Sequence, residues 1–242
     1  MKGSVQTWSR GVGLVELMIS VALGCFVCAA LIDMYISNRR VHNLQQSLAT
    51  IQEHSAFAVD YVRRSVMQAG SGLEGQAIFP VAIEFGQGDP TNKSQDGDLF
   101  DQLVIRMESG FDCVGDSLDQ GAVKWKRFYV ENNELFCRDS DRQTVGLVDN
   151  VQAFQVLYGV DTDRDGAVDR YVNAAGALGQ EEYVFSVRVG FLLDSDYPVI
   201  NSQISPQTEY FVLDERIAAS LLRDGRALHR TFVASIALRP FS

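Results

Sequence analysis

The stretch WSRGVGLVELMIS, residues Trp8–Ser20, places an acid where its surroundings least tolerate one. An apolar run opens at Val12 and continues to Ile36, yet Glu16 stands near its start. A carboxylate costs roughly 2.5–3.5 kcal/mol at the centre of a membrane-length apolar helix, and less towards an end. At 1.5 Å per residue, a helix over Val12–Ile36 is roughly 37 Å long, enough to cross a hydrocarbon core of ~30 Å. Apart from Glu16 and Asp33, the run carries only small polar residues. A short leader, MKGSVQTWSRG, precedes it, and no A-x-A cleavage site of the secretory kind closes it. Basic residues flank both ends (Lys2 and Arg10; Arg39 and Arg40), so the positive-inside rule alone does not orient the span.

Beyond the run the helical period continues. Val41, Leu44, Leu48, Ile51, Ala58, Val62, Val66 and Ala69 recur at spacings of three, four or seven, with Arg39, Gln45, Glu53, Asp60 and Arg64 between them. The stripe stops at AGSGLEG, where glycines supply a helix end. The first half of this helix is apolar all round and suits lipid. The second half is amphipathic and must lie on something.

After Gly75 the period changes to alternation. Tyr183, Phe185, Val187, Val189 and Phe191 share one face of a strand, and Phe232, Ala234, Ile236 and Leu238 share another. Further strands are expected at Ala77–Phe85, Leu103–Met107, Val123–Glu131, Glu134–Arg138 and Val151–Tyr158, with ENNE as a tight hairpin turn. Gly86–Gly97 reads as a loop and Asp214–Leu222 as a short helix. The fold class expected is therefore α+β, with a long N-terminal helix packed by its second half on an antiparallel β-rich domain.

A net charge of −10 argues against nucleic acid as a partner, since such a footprint would be basic. The hydrophobic content, 46%, is ordinary, so most of the 242 residues fold around a water-facing core. Cys25 and Cys28 lie inside the apolar run, where two small apolar residues are a simpler reading than a redox motif. Cys113 and Cys137 lie in the strand-rich part and would pair if that part is outside the cytoplasm. GSGLEG matches a dinucleotide fingerprint in letters, but a helix precedes it and strands follow, the reverse of the required context. His42, His54 and His229 show no metal spacing, and no nucleophile elbow or phosphate loop is present. Nothing supports an enzyme.

DTDRDGAVD, Asp161–Asp169, is more specific. Aspartates at positions one, three and five with Gly at six match the opening of a calcium loop. Asp161, Asp163 and Asp165 would supply side-chain oxygens, Ala167 a carbonyl at position seven, and Asp169 position nine. Val172 stands at position twelve, where a bidentate Glu is usual. An acidic surface turn between two strands is the competing reading.

RGVGLVELMIS resembles the class III signal of type IV pilins: a basic leader, Gly at the cleavage point, and Glu five residues into the apolar stretch. The resemblance implies that residues 1–11 are a cytoplasmic leader cut after Gly11 by a prepilin peptidase. Val12 becomes the mature, N-methylated terminus, and Glu16 meets the α-amino group of a neighbouring subunit. A buried carboxylate is tolerable when paired with a charge, and the cut creates that charge. LQQSLATIQEHSAFAVDYVRRSVMQAG, VLYGVDTDRDGAVDRYV, FDCVG with LFCRD, and RTFVASIALR extend the resemblance to PilW-type minor pilins. It implies a helix over 12–69, membrane-spanning over 12–36, with a periplasmic β-rich domain over 70–242. The N-terminus would be cytoplasmic, the chain would sit in the inner membrane and the pilus, and other minor pilins and the major pilin would be its partners. The function implied is that of a minor pilin priming pilus assembly and twitching near the tip. The alternatives are a J-type pseudopilin of type II secretion, or a membrane-anchored calcium-binding domain that does not polymerise.

Overall fold

The computed structural model describes residues 13–71, 83, 93–118, 121–163, 165–198, 207–222 and 227–238. Helix α1 runs from Leu14 to Gln68. The chain divides into two compact units, Met1–Gln46 and Ser47–Ser242, with α1 contributing to both. In the first unit every described residue of α1 is exposed, including Leu14, Leu17, Phe26 and Ile32. This helix is long and apolar enough to cross a membrane.

In the second unit α1 presents a buried stripe: Ser47, Ile51, Ser55, Ala58, Val62, Ser65 and Val66. Steps of three and four place these residues on one face. The expected stripe began further back, but Val41 and Leu44 are exposed and Leu48 is half-buried. The contact face instead admits three serines. Ser55 Oγ donates to the Gln52 carbonyl at 2.9 Å, so its hydroxyl is satisfied within the helix. Small size, as much as apolarity, lets the helix approach the sheets.

The helix stops where the glycines predicted. Gly70 adopts φ +79°, and its N–H donates to the Arg106 carbonyl at 2.7 Å. Of the expected strand Ala77–Phe85 only Ile83 lies among the described residues, and it bridges Ile105 antiparallel.

Two four-stranded antiparallel sheets follow. The first has the order β1-β2-β3-β4: Leu103–Met107, Lys124–Glu131, Glu134–Asp139 and Thr144–Val148. ENNE is the β2–β3 turn, with Glu131 opposite Glu134 and Asn132 and Asn133 at φ 51° and 63°. Both central residues need positive φ, which Asn tolerates best after Gly. The second sheet uses β5 (Val151–Val160), β6 (Arg170–Val172), β7 (Val184–Pro198) and β10 (Ala227–Ala237), in the order β10-β7-β5-β6. A short helix α2, Ala174–Ala177, links β6 to β7.

Asp214–Leu222 is not the expected helix. Strands β8 (Glu209–Val212) and β9 (Glu215–Ala218) form a two-stranded hairpin, followed by a 3-10 turn at Ala219–Leu221. Tyr210, Val212 and Ile217 point into a cluster with Ala153 and Leu192, so burial against the second sheet decides the conformation.

That hairpin also explains β5, where all ten residues are buried. Phe154, Val156, Tyr158 and Val160 join the main core with Val62 and Val66 of α1, while Ala153 faces the hairpin cluster. Phe154 lies opposite Phe191 of β7, with rings stacked at 5.0 Å. A directly opposed aromatic pair is worth about 0.5–1.5 kcal/mol beyond its burial.

Candidate functional site

Glu16 lies in the first turn of α1, among exposed Leu14, Val15, Leu17 and Met18. A carboxylate there complements the positive end of the helix dipole. The main chain of that turn is closed by Leu17 N–H to Gly13 O at 3.1 Å and Ser20 Oγ to Glu16 O at 2.7 Å. Gly11 and Val12, the expected processing point, lie outside the described residues.

The aspartate loop joins β5 to β6 as strand–loop–strand. Gly159 allows its closure, because a Cβ there would collide with the Ser186 hydroxyl and come within 2.9 Å of Val168. Carboxylate oxygens of Asp161, Asp163 and Asp169 lie within 4.8 Å of one another, Asp161 buried and the other two exposed. Asp165 is not in that group; its carboxylate accepts the Ala167 N–H at 2.7 Å. Asp161 accepts the N–H of Gly166 at 2.8 Å, and Gly166 holds φ +87°, as position six of the motif requires.

The acids do not share one environment. Hydrogen bonds from the Thr162 hydroxyl and N–H hold Asp169 below the usual carboxylate range. The Asp165 N–H lowers Asp163 too, but desolvation and repulsion by Asp165, Asp169 and Asp161 outweigh it, leaving Asp163 raised. Three carboxylates gathered this closely offer the oxygen set that a hard divalent cation takes. Val172, at position twelve, is half-buried on β6 against the main core and contributes no oxygen side chain.

Cys113 and Cys137 are joined in a disulfide, with Cα atoms 5.8 Å apart. Tyr61 of α1 donates its hydroxyl to the Cys113 carbonyl at 2.8 Å and meets Phe128 edge-on at 6.1 Å. The bridge therefore ties the end of β3 to the loop under the helix.

Three charges beside this bridge were not picked out from the sequence: Lys126, Asp112 and Asp139, all buried. Lys126 lies directly opposite Asp139 across β2 and β3. Asp139 Oδ1 accepts the N–H groups of Asp141 and Gln143 at 3.0 and 2.9 Å, and its Oδ2 that of Cys113 at 3.5 Å. Asp112 Oδ1 accepts those of Val114 and Asp116 at 3.0 and 2.7 Å. Burial pulls Lys126 down to about 8, against the opposing pull of Asp112 and Asp139. The available signal was the alternation KWKRF, which sets Lys126 on the inward side with Phe128.

Asp101 is a further buried acid, at 4% exposure. Its two oxygens accept the N–H groups of Gly97 and Val156 at 2.8 and 2.7 Å, stapling the preceding segment to β5. Burial nevertheless pushes it up to about 7.

The family model described as Type IV Pilus-assembly protein W matches residues 125–239. Among curated proteins none matches. Among solved structures, a type IV-like pilin from Thermus thermophilus is similar at 13% identity and a TM-score of 0.47, over 78% of this chain and 95% of that one.

Proposed function

We propose that this chain, type IV pilin-like and of the PilW type, is a minor pilin that primes or supports pilus assembly near the tip. The observation that carries the reading is the pairing of an apolar, fully exposed helix half bearing Glu16 with a second half packed on a β-rich unit matching the pilus-assembly model. An exposed apolar helix must find lipid or other helices. The inner membrane supplies the first before assembly, and neighbouring pilin helices supply the second within a filament. In the filament Glu16 pairs with the α-amino group freed by a prepilin peptidase at Val12. Other minor pilins and the major pilin are the partners this implies.

Deleting the gene tests the reading. Loss of surface pili and of twitching, restored by the intact chain, is expected. Loss of secreted enzymes with pili intact would make it a type II pseudopilin instead.

Calcium in the β5–β6 loop is a second part of the reading, favoured by the convergence of Asp161, Asp163 and Asp169. Lacking a carboxylate at position twelve, the site resembles weak extracellular modules, with Kd on the order of 10⁻⁴–10⁻³ M. A ligand that binds only the folded state raises its stability. The full chain in detergent should therefore melt at a higher temperature in ten-millimolar-range calcium than in chelator, and Asp163→Asn/Asp169→Asn should remove the difference. Equal melting temperatures in the parent chain would leave the stretch an acidic turn.

A further inference from the structure

Past the apolar run, α1 changes chemistry within one turn. Tyr35, Asn38, Arg39, His42, Asn43 and Gln46 line one recess on the helix. Steps of three and four residues keep them on one side. Each carries a hydrogen-bond donor and none is an acid. In a chain of net charge −10, no aspartate or glutamate stands between Met34 and Gln52. The nearest acid is Asp33, six residues before Arg39, which is about 9 Å along the axis and about 120° round the helix. Arg40 adds a second exposed cation, about 10 Å along the axis from the same acid.

Depth and geometry narrow what this recess can hold. Polar headgroup layers of roughly 5–7 Å flank each side of the hydrocarbon core. Arg39 follows Ile36, the end of the run, by about 4.5 Å, and Asn43 follows it by about 10 Å. A helix that crosses the bilayer over Val12–Ile36 therefore carries Arg39 at the level of lipid phosphates. Tyr35 prepares the arginine: Arg39 Nε donates to the Tyr35 hydroxyl at 2.9 Å, and the guanidinium carbon lies 5.4 Å from the ring centroid. The two Nη amino groups are left as a fork that suits two oxygens of one phosphate. Leu31 and Ile32, one turn before Tyr35, are exposed apolar contacts for acyl chains, which a free phosphate would not use.

We propose that this recess binds the phosphate of an acidic phospholipid at the bilayer surface. An acidic headgroup fits better than a zwitterionic one, whose ammonium Arg39 and Arg40 would repel. The inference rests on the first half of α1 spanning a membrane.

The test reconstitutes the full chain in phosphatidylcholine vesicles with a trace of spin-labelled phosphatidylglycerol or spin-labelled phosphatidylcholine. Electron paramagnetic resonance reads the fraction of each label held at the protein surface. A basic residue at an anionic surface contributes up to about fivefold, so the parent chain should hold phosphatidylglycerol at least about threefold better. The net charge of −10 acting alone would give the opposite order. Arg39→Gln/Arg40→Gln should bring the ratio close to one, and Tyr35→Phe should lower it by releasing Arg39. Arg63→Gln/Arg64→Gln removes the same charge about 36 Å further along the helix and should leave the ratio unchanged. Inorganic phosphate in the ten-millimolar range should also leave it unchanged. A ratio of one in the inserted parent, a ratio that survives Arg39→Gln/Arg40→Gln, or one erased by inorganic phosphate would overturn the proposal. A chain that fails to float with phosphatidylcholine vesicles would instead overturn the spanning reading beneath it.

Discussion

The two halves of α1 share one backbone conformation and differ in what they touch. Before Gln46, the leucines, the valines and Phe26 of the helix are exposed, Leu14 at 76% and Phe26 at 75%. After Ser47, Ala58, Val62 and Val66 are sealed at 0% among the strands. Helix formation is therefore not what distinguishes the two halves; burial is. The second half is a structural member of the globular unit. The first half is apolar surface, exposed at every described residue.

This contrast can be broken most sharply with a charge. Val62→Asp puts an unpaired carboxylate into the core and should cost about 4 kcal/mol or more, enough to unfold the second unit. Ile32→Asp in the first half should leave that unit's melting temperature unchanged and instead impair insertion. Thermal melts followed by near-ultraviolet circular dichroism of both variants in detergent give the comparison. Equal destabilisation would erase the distinction between the halves.

A smaller loss should follow from removing the disulfide. Cys113 and Cys137 are 24 residues apart, and the chain-entropy relation gives about 3.5 kcal/mol for a loop of that size. Cys113→Ala/Cys137→Ala should lower the urea midpoint of the second unit accordingly. Cys25→Ala/Cys28→Ala, in the first half, should not move it.

Smaller still is a pH effect from Asp101. Its folded-state pKa, raised to about 7 by burial, lies above the ~3.9 of an unfolded aspartate. The folded state thus holds the proton more tightly, so the contribution is fully present below about pH 4 and is lost as pH rises towards 7. Urea midpoints between pH 4 and 8 should carry this falling component, and Asp101→Asn should flatten it. Asn offers one carbonyl oxygen where the carboxylate accepts from both Gly97 and Val156, so its baseline should also drop. A parent profile identical in slope to Asp101→Asn would show that Asp101 does not titrate in this range.

What was legible in the sequence follows the same division. The apolar run, the glycine helix stop, the Asn-Asn hairpin turn and the long alternating strands each rest on a local rule, and each is found in the fold. The misplaced features depend on partners distant in sequence. Asp214–Leu222 has helix-compatible residues, but Ile217 is claimed by the β8–β9 hairpin packed on Leu192. Ser47, Ser55 and Ser65 are polar by type and buried by need for a close approach. The candidate metal residues were visible as a spacing, yet only the folded loop separates Asp165 from the other three. Lys126 and Asp139 are thirteen positions apart and become neighbours only through strand register.

The smallest stability effect belongs to Glu16. Glu16→Ala should leave the melting of the second unit unchanged, since the residue belongs to the other unit, while reducing recovery of the chain in sheared pili. Full incorporation of the variant would show that no neighbouring amine depends on this carboxylate.

We propose that the exposed half of α1 is an assembly element released by processing. N-terminal mass spectrometry of the chain recovered from sheared pili of its native host tests this most directly. The expected result is a peptide beginning at Val12, N-methylated and free of the leader. Recovery only of chains beginning at Met1, or absence of the chain from pili while it remains in the membrane, would contradict it.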